Sequence, residues 1–320
     1  MICKSTRAIW VLAIALTAGG CGDDSTASGT GGSGGTGGTR GTAGTGGTAG
    51  TGGASFEGSF SVNQKFWHSG FNITILDGET FTRETLDGRV NYYALLNAAF
   101  ENLGPNETFF SPDVSLVQDG MAAIPASDDT DIPFVPSGLA SDGVLAYIVE
   151  ADFDVDNAQL IVGSNDVVQA IVPLSPQAGD LVSLEPAEVP ISGSITMELI
   201  DLTFNSGGIR ADVPDLYREI EAGSRGLTLN FDATSRRSGN WNILPQDFAL
   251  ILPSGSAVGV DGGGRAPLPG SEAGIDTTGI SVRFLVDEMP AGDYTLRFAP
   301  GSWFVGDDGV TEATFDFSID

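Results

Sequence analysis

From residue 56 onward, hydrophobic and polar side chains alternate in short runs. The segments "FNITIL" (71–76), "VLAYIVEADFDV" (144–155), "ITMELIDLTF" (195–204), "LTLNFDA" (227–233), "ISVRFLV" (280–286) and "YTLRFA" (294–299) repeat with a period of two and are bounded by Gly, Pro, Asp or Asn. In the last of these, Tyr294, Leu296 and Phe298 share one face while Thr295 and Arg297 share the other. That is the period of a strand with one side buried. The stretch "VNYYALLNAAFENLG" (90–104) is ambiguous and is read as strand because its neighbours are strands. Helical periodicity is scarce. Its best candidate is "DVPDLYREIEAG" (212–223), where Pro214 or Asp215 would open a short helix and Gly223 close it. The predicted fold class is all-β.

The runs fall into two halves with the same order. In the first, "SPDVSLVQDG" (111–120) precedes a Pro-rich loop, then 141–163, then "NDVVQAIVPL" (165–174). In the second, "PQDFALILPSG" (245–255) precedes a Gly/Pro-rich loop, then 277–299, then "DDGVTEATFDFSI" (307–319). Each half has about 120 residues, the usual size of one β-sandwich. The expected organisation is a sandwich over 55–176, a linker over 177–189 and a second sandwich over 190–320, as a tandem duplication.

The first fifth of the chain reads differently. Residues 1–20 carry an early basic pair, Lys4 and Arg7, then a short apolar run, then small residues up to Cys21. That is the layout of a secretory signal peptide, and the apolar run falls well short of the roughly 20 residues that span a bilayer. Of the two cysteines, Cys3 lies inside the signal, so Cys21 alone would remain after cleavage. Ala18, Gly19, Gly20 and Cys21 resemble the lipobox of bacterial lipoproteins, with Ala18 where Leu is usual. The resemblance implies a diacylglyceryl thioether on Cys21, cleavage before it and acylation of the new amine, a membrane anchor of two or more chains. Residues 22–54 are almost wholly Gly, Thr, Ser and Ala. Such a segment buries too little to offset the entropy of ordering and is expected to be a disordered tether.

Charge narrows the partners. The chain holds 42 Asp and Glu against 14 Lys and Arg, a net charge of −28. Nucleic acid and anionic lipid headgroups repel such a protein. Its chemistry is sparse as well. One histidine, His68, serves the whole chain, so no multi-histidine metal site is possible within it. The string "GGSGG" (31–35) lies in the tether, where no nucleophile elbow can form. A catalytic triad would have to use His68, whose simpler reading is a strand-edge residue half covered by aromatics. Paired carboxylates of a glycosidase kind need a cleft that the sequence does not reveal.

Two features point to binding. If the strand over 144–155 continues, Glu150, Asp152, Asp154 and Asp156 form an outward row, and clustered oxygens of this kind suit calcium. The row equally suits a solvated face that discourages edge pairing. Trp67, Trp241 and Trp303 are candidates for a sugar-stacking platform, or else for packing at the sandwich ends. With "QKFWHSGFNITILD" (64–77), these patterns resemble a family of bacterial lipoproteins of unknown function that carry immunoglobulin-like β-sandwiches behind a low-complexity tether. The resemblance implies two tandem immunoglobulin-like β-sandwiches in a non-catalytic envelope module and supplies no site residues. The expected role is binding, adhesion or structure, with a protein or glycan partner, no nucleic acid and no cofactor unless calcium. The anchor is expected in the outer membrane or at the cell surface. A calcium- or carbohydrate-binding module is the alternative, and an envelope hydrolase the further one.

Overall fold

Alternation along the chain is realised as a series of antiparallel strands. The computed structural model describes residues 56–236, 243–262, 274, 276–301 and 306–320. The expected signal segment (1–20), Cys21, the expected tether (22–54), Trp241 and Trp303 lie outside the described residues. The chain runs through β1 (Gly58–His68), β2 (Phe71–Glu84), β3 (Val90–Asn102), β4 (Val114–Gln118), β5 (Ile124–Pro125), β6 (Ala140–Val149), β7 (Ala158–Val162) and β8 (Ala170–Pro173). It continues through β9 (Ala187–Val189), β10 (Gly193–Met197), β11 (Ile200–Arg210), β12 (Asp212–Val213), β13 (Arg218–Glu219), β14 (Ser224–Ser235), β15 (Phe248–Ile251), β16 (Ala257–Gly259), β17 (Asp276–Asp287), β18 (Gly292–Phe298) and β19 (Ala313–Ile319). Helical structure among the described residues is confined to three-residue 3-10 turns. None is long and apolar enough to cross a membrane.

These strands close over two hydrophobic cores. In the first body, the sheet β1-β2-β3-β6 packs against the sheet β5-β4-β7-β8. Phe66, Ile73, Leu96, Phe100 and Tyr147 from one layer meet Leu116, Leu160 and Val172 from the other. In the second body, β10-β11-β14-β17 packs against β16-β15-β18-β19, with β9 added at one edge of β11. Leu202, Phe204, Leu229, Phe231 and Phe284 meet Leu250, Tyr294, Leu296 and Phe298 there. Each such side chain taken fully from water stabilises the fold by roughly 1.5–3 kcal/mol before entropy is counted. The faces read from the sequence hold: Tyr294, Leu296 and Phe298 are all buried. Residues 90–102 are a strand, burying Ala94, Leu96, Ala98 and Phe100.

The two bodies share their strand order and one irregularity. The second strand of each carries a bulge, where the register shifts between Ile75 and Asp77 against β3 and between Phe204 and Ser206 against β14. An Asn on the third strand holds each bulge. Asn97 donates to Asp77 (2.6 Å), and Asn230 donates to Ser206 (3.0 Å). A buried glycine follows in both, Gly78 and Gly207, because neighbours on and beside the same sheet crowd the backbone there. A Cβ on Gly78 would lie 2.4 Å from the Phe60 ring and 2.7 Å from the Leu95 carbonyl, and one on Gly207 would lie 2.6 Å from Ile191.

Several sequence expectations are corrected. The run 195–204 is not one strand but turns at 198–199, where Met197 pairs with Ile200 across a β10–β11 hairpin. Residues 212–223 form no α-helix. They make the β12–β13 hairpin around a 3-10 turn, Pro214–Leu216, with Tyr217 left-handed at φ 50°. Local propensity yields here to tertiary pairing, because Asp212 accepts the Gly70 N–H (2.5 Å) and Asp215 accepts from Arg283 (2.6 Å). The strand from 144 likewise stops at Val149 rather than running on to 155, as Phe153 N–H turns back to the Glu150 carbonyl (3.1 Å).

The predicted linker, 177–189, is engaged on both sides. Val182 bridges to Ile171, Ser183 accepts the Trp67 N–H, and β9 pairs with β11. Gly53–Asp320 is accordingly one compact unit.

Candidate binding groove

The β12–β13 hairpin brings the two bodies together. Its Ile220 carbonyl accepts the Val168 N–H (2.9 Å), and Ala222 N–H returns to Asp166 (3.0 Å). The Tyr217 hydroxyl accepts the Asn106 N–H (2.8 Å) and donates to its carbonyl. Tyr217 lies so close over residue 104 that a Cβ there would sit 2.4 Å from its ring, which requires Gly104. Val168, Val213 and Ile220 form a small apolar cluster of their own within this joint.

Beside the joint lies a groove of about 1730 Å³. One wall is the outward face of β11, β14 and β17, which presents Ser206, Gly208, Arg210, Thr228, Asn230, Ser281 and Arg283. The same strands send Leu202, Leu229 and Val282 inward to the core, so the alternation that builds the sandwich also builds this wall. The opposite wall is residues 103–106 with Ser137, and Leu103 and Leu216 are exposed at its edge.

The charges in this wall are balanced. Arg210 Nε donates to Asp212 (2.8 Å), Arg283 donates to Asp215 (2.6 Å) and Asp261 (3.2 Å), and Arg218 donates to Asp261 (2.5 Å). Burial alone would raise the Asp261 carboxyl, but Arg218 and Arg283 together hold it below the ordinary carboxylate range. Three guanidinium groups thus meet three carboxylates, a locally neutral network within a strongly acidic chain. Nη2 of Arg210 is buried and has no acceptor. A donor so placed costs about 1–3 kcal/mol unless something accepts from it.

The residues singled out from sequence fall elsewhere. Trp67 is half-buried on the outer face of β1, and the Lys65 ammonium sits 5.0 Å over its ring, so this aromatic face already has a cation upon it. Asp152, Asp154 and Asp156 are exposed but do not converge. Asp154 turns its carboxylate to the Asp156 N–H (3.0 Å) and Asn157 (2.6 Å), capping a 3-10 turn, and its own N–H donates to Gln118 (2.8 Å). Among the described residues no three His, Cys, Asp or Glu side chains are placed to hold a metal ion. His68 is fully buried rather than half covered, with Nε2 3.0 Å from the Val168 carbonyl. The groove residues escaped the sequence reading because the contacts that assemble them span the two halves, as from Asn106 to Tyr217. The one local signal was a run of small residues, "NSGG" (205–208), in an otherwise alternating strand.

No protein-family model and no curated protein matches the chain. Solved structures resemble parts of it at low identity. A conserved hypothetical protein from Bacillus anthracis is 14% identical over 38% of this chain and 99% of its own, with a TM-score of 0.28. A candidate lipoprotein from Bacillus subtilis subsp. subtilis str. 168 is 12% identical over 40% of this chain and 39% of its own (TM-score 0.30). A functionally unknown protein from Listeria monocytogenes EGD-e is 15% identical over 42% of this chain and 87% of its own (TM-score 0.27).

Proposed function

We propose that the protein is a non-catalytic binding module of a bacterial envelope, held at a membrane by lipid on Cys21 and taking its ligand in the groove between the two bodies. The repeated strand order supports descent of both bodies from one duplicated sandwich. The observation that carries the binding reading is the outward face of β11, β14 and β17, a wall of hydroxyl, amide and guanidinium groups with no net charge. Its hydrogen-bonding groups and flanking Leu103 and Leu216 suit an uncharged, hydroxyl-rich chain such as a glycan. The acidic surroundings disfavour nucleic acid and other polyanions. Against catalysis, of the two carboxylates that line the groove Asp215 is tied to Arg283, which leaves Glu188 without a partner acid, and His68 lies outside the groove.

A glycan array probed with the full chain tests this reading, with Ser281→Trp as the blocked control. Ser281 is exposed on β17, so the indole would fill the groove without entering the core. Binding by the wild type and at least tenfold weaker binding by Ser281→Trp, corresponding to about 1.4 kcal/mol, is the expected outcome. Equal binding by both would place the ligand elsewhere.

A further inference from the structure

The joint contains two buried polar atoms that face each other without bonding. His68 ends β1 in the first body, with Nε2 against the Val168 carbonyl at 3.0 Å. A carbonyl only accepts, so Nε2 carries the hydrogen and Nδ1 of the neutral ring is a bare lone pair. Nδ1 is buried and has no hydrogen-bond partner. Facing it at 3.8 Å is Oε1 of Glu219, on β13 of the second body, which is also buried and also without a partner. Two acceptors confront each other across the seam, and one hydrogen between them would satisfy both.

We propose that this pair is a proton-operated latch: in mildly acid solution the Glu219 carboxyl takes up a proton, donates it to Nδ1 of His68, and ties the β12–β13 hairpin to the first body. Closing the gap from 3.8 Å to an ordinary O–H···N contact of about 2.8 Å needs only a small rotation of Glu219, whose side chain is 29% exposed. This inference is independent of what the groove binds.

The surrounding charges decide which partner holds the proton. Asp212 stands opposite Glu219 in the β12–β13 register, its carboxylate held by Arg210 and the Gly70 N–H. Asp113, just before β4, and Asp166, between β7 and β8, also face the carboxyl, while Arg218 beside it is engaged by Asp261. Burial raises the Glu219 carboxyl above its ordinary value, and repulsion from Asp113 and Asp166 adds to the rise. Burial lowers the His68 imidazole, partly offset by the Val168 carbonyl and by Asp212. Both directions favour a neutral acid hydrogen-bonded to a neutral imidazole over an ion pair, as a dry site should. The raised carboxyl contributes stability that is complete below its ordinary value of 4.5 and is lost as pH rises through its folded value. The lowered imidazole acts oppositely, costing stability as pH falls below 6.5. The imidazole itself, rather than a melting temperature alone, is therefore the decisive probe.

Because His68 is the single histidine of the chain, its nitrogens can be observed without assignment ambiguity. The full chain labelled with 15N-histidine is titrated by NMR from pH 8 to pH 5. The expected result is an imidazole that stays in the Nε2–H form while its Nδ1 resonance shifts with one midpoint. Glu219→Gln, whose amide donates at every pH, should show no such midpoint. In the wild type the Val168 amide, bonded across the joint to Ile220, should exchange with solvent roughly fivefold more slowly at pH 5 than at pH 7.5 after correction for the intrinsic rate. An imidazole that becomes doubly protonated with the same midpoint in wild type and Glu219→Gln would overturn the latch. So would an Nδ1 resonance indifferent to pH, or unchanged Val168 protection. Should Glu219→Gln fail to fold, the wild-type titration alone decides.

Discussion

The two bodies share a framework and differ most in one connection. Between β2 and β3 the first body makes a short turn over 85–89, closed by Thr85 and Arg89 and carrying a wholly exposed Leu86. At the equivalent place, between β11 and β14, the second body inserts 211–223, the hairpin that docks on the first body and flanks the groove. Strands, bulge and core are common to both, while the joint and one edge of the groove belong to that insertion. A sandwich scaffold tolerates such change because a loop lengthens at small entropic cost, leaving the sheets beneath it intact.

The largest break in the comparison is expected at Asp212, the buried carboxylate through which the inserted hairpin holds both Gly70 and Arg210. Asp212→Ala should cost about 3 kcal/mol and separate the melting of the two bodies into two calorimetric transitions. A single transition at the wild-type temperature would show that the coupling does not run through Asp212. The shared bulge gives a graded test. Gly78→Ala meets the Leu95 backbone and should cost about 2–3 kcal/mol in urea unfolding, whereas Gly207→Ala meets the end of Ile191 and should cost about 1 kcal/mol. Equal costs would mean that the crowding neighbours yield alike in both bodies.

A smaller effect, of opposite sign, is expected in the first core. The Tyr147 hydroxyl is buried without a partner, which pushes its ionisation well above the ordinary range. The equivalent residue of the second body, opposite Leu227 on β17, is Phe284. Tyr147→Phe should stabilise by about 1 kcal/mol, read as a rise in the denaturant midpoint. Least of all, Leu86→Ser should alter stability by no more than about 0.5 kcal/mol, confirming that the short turn does nothing for the core. The proposed anchor is checked apart from these. Mass spectrometry of the protein from its native membranes should find residue 21 as the N-terminus, carrying a diacylglyceryl thioether.

Legibility in the sequence followed the range of the forces involved. Period-two alternation is a local consequence of burying one face, so 71–76, 227–233 and 294–299 could be read as strands, with the right residues inward. Residues 212–223 misled because Pro214 and Gly223 punctuate a helix and a hairpin alike, and the choice was made by Gly70 and Arg283, far away in the chain. The acidic stretch after Val149 misled for a related reason. Its alternation continues past the strand, but Asp154 bends the backbone by capping its own turn. The groove was hidden because a solvated sheet face looks the same in sequence whether or not a second body stands over it.

That face has one more implication, for how this protein can change. Along β14, Leu227, Leu229, Phe231 and Ala233 are fully buried, while Thr228, Asn230 and Asp232 between them are not. Asn230 and Asp232 are still bound to the scaffold through Ser206, Asn205 and the Gly279 N–H, so Thr228 is the letter most open to rewriting while the buried letters keep the architecture standing. A lineage could change what this face offers to its surroundings through such a position, without ever passing through an unfolded ancestor.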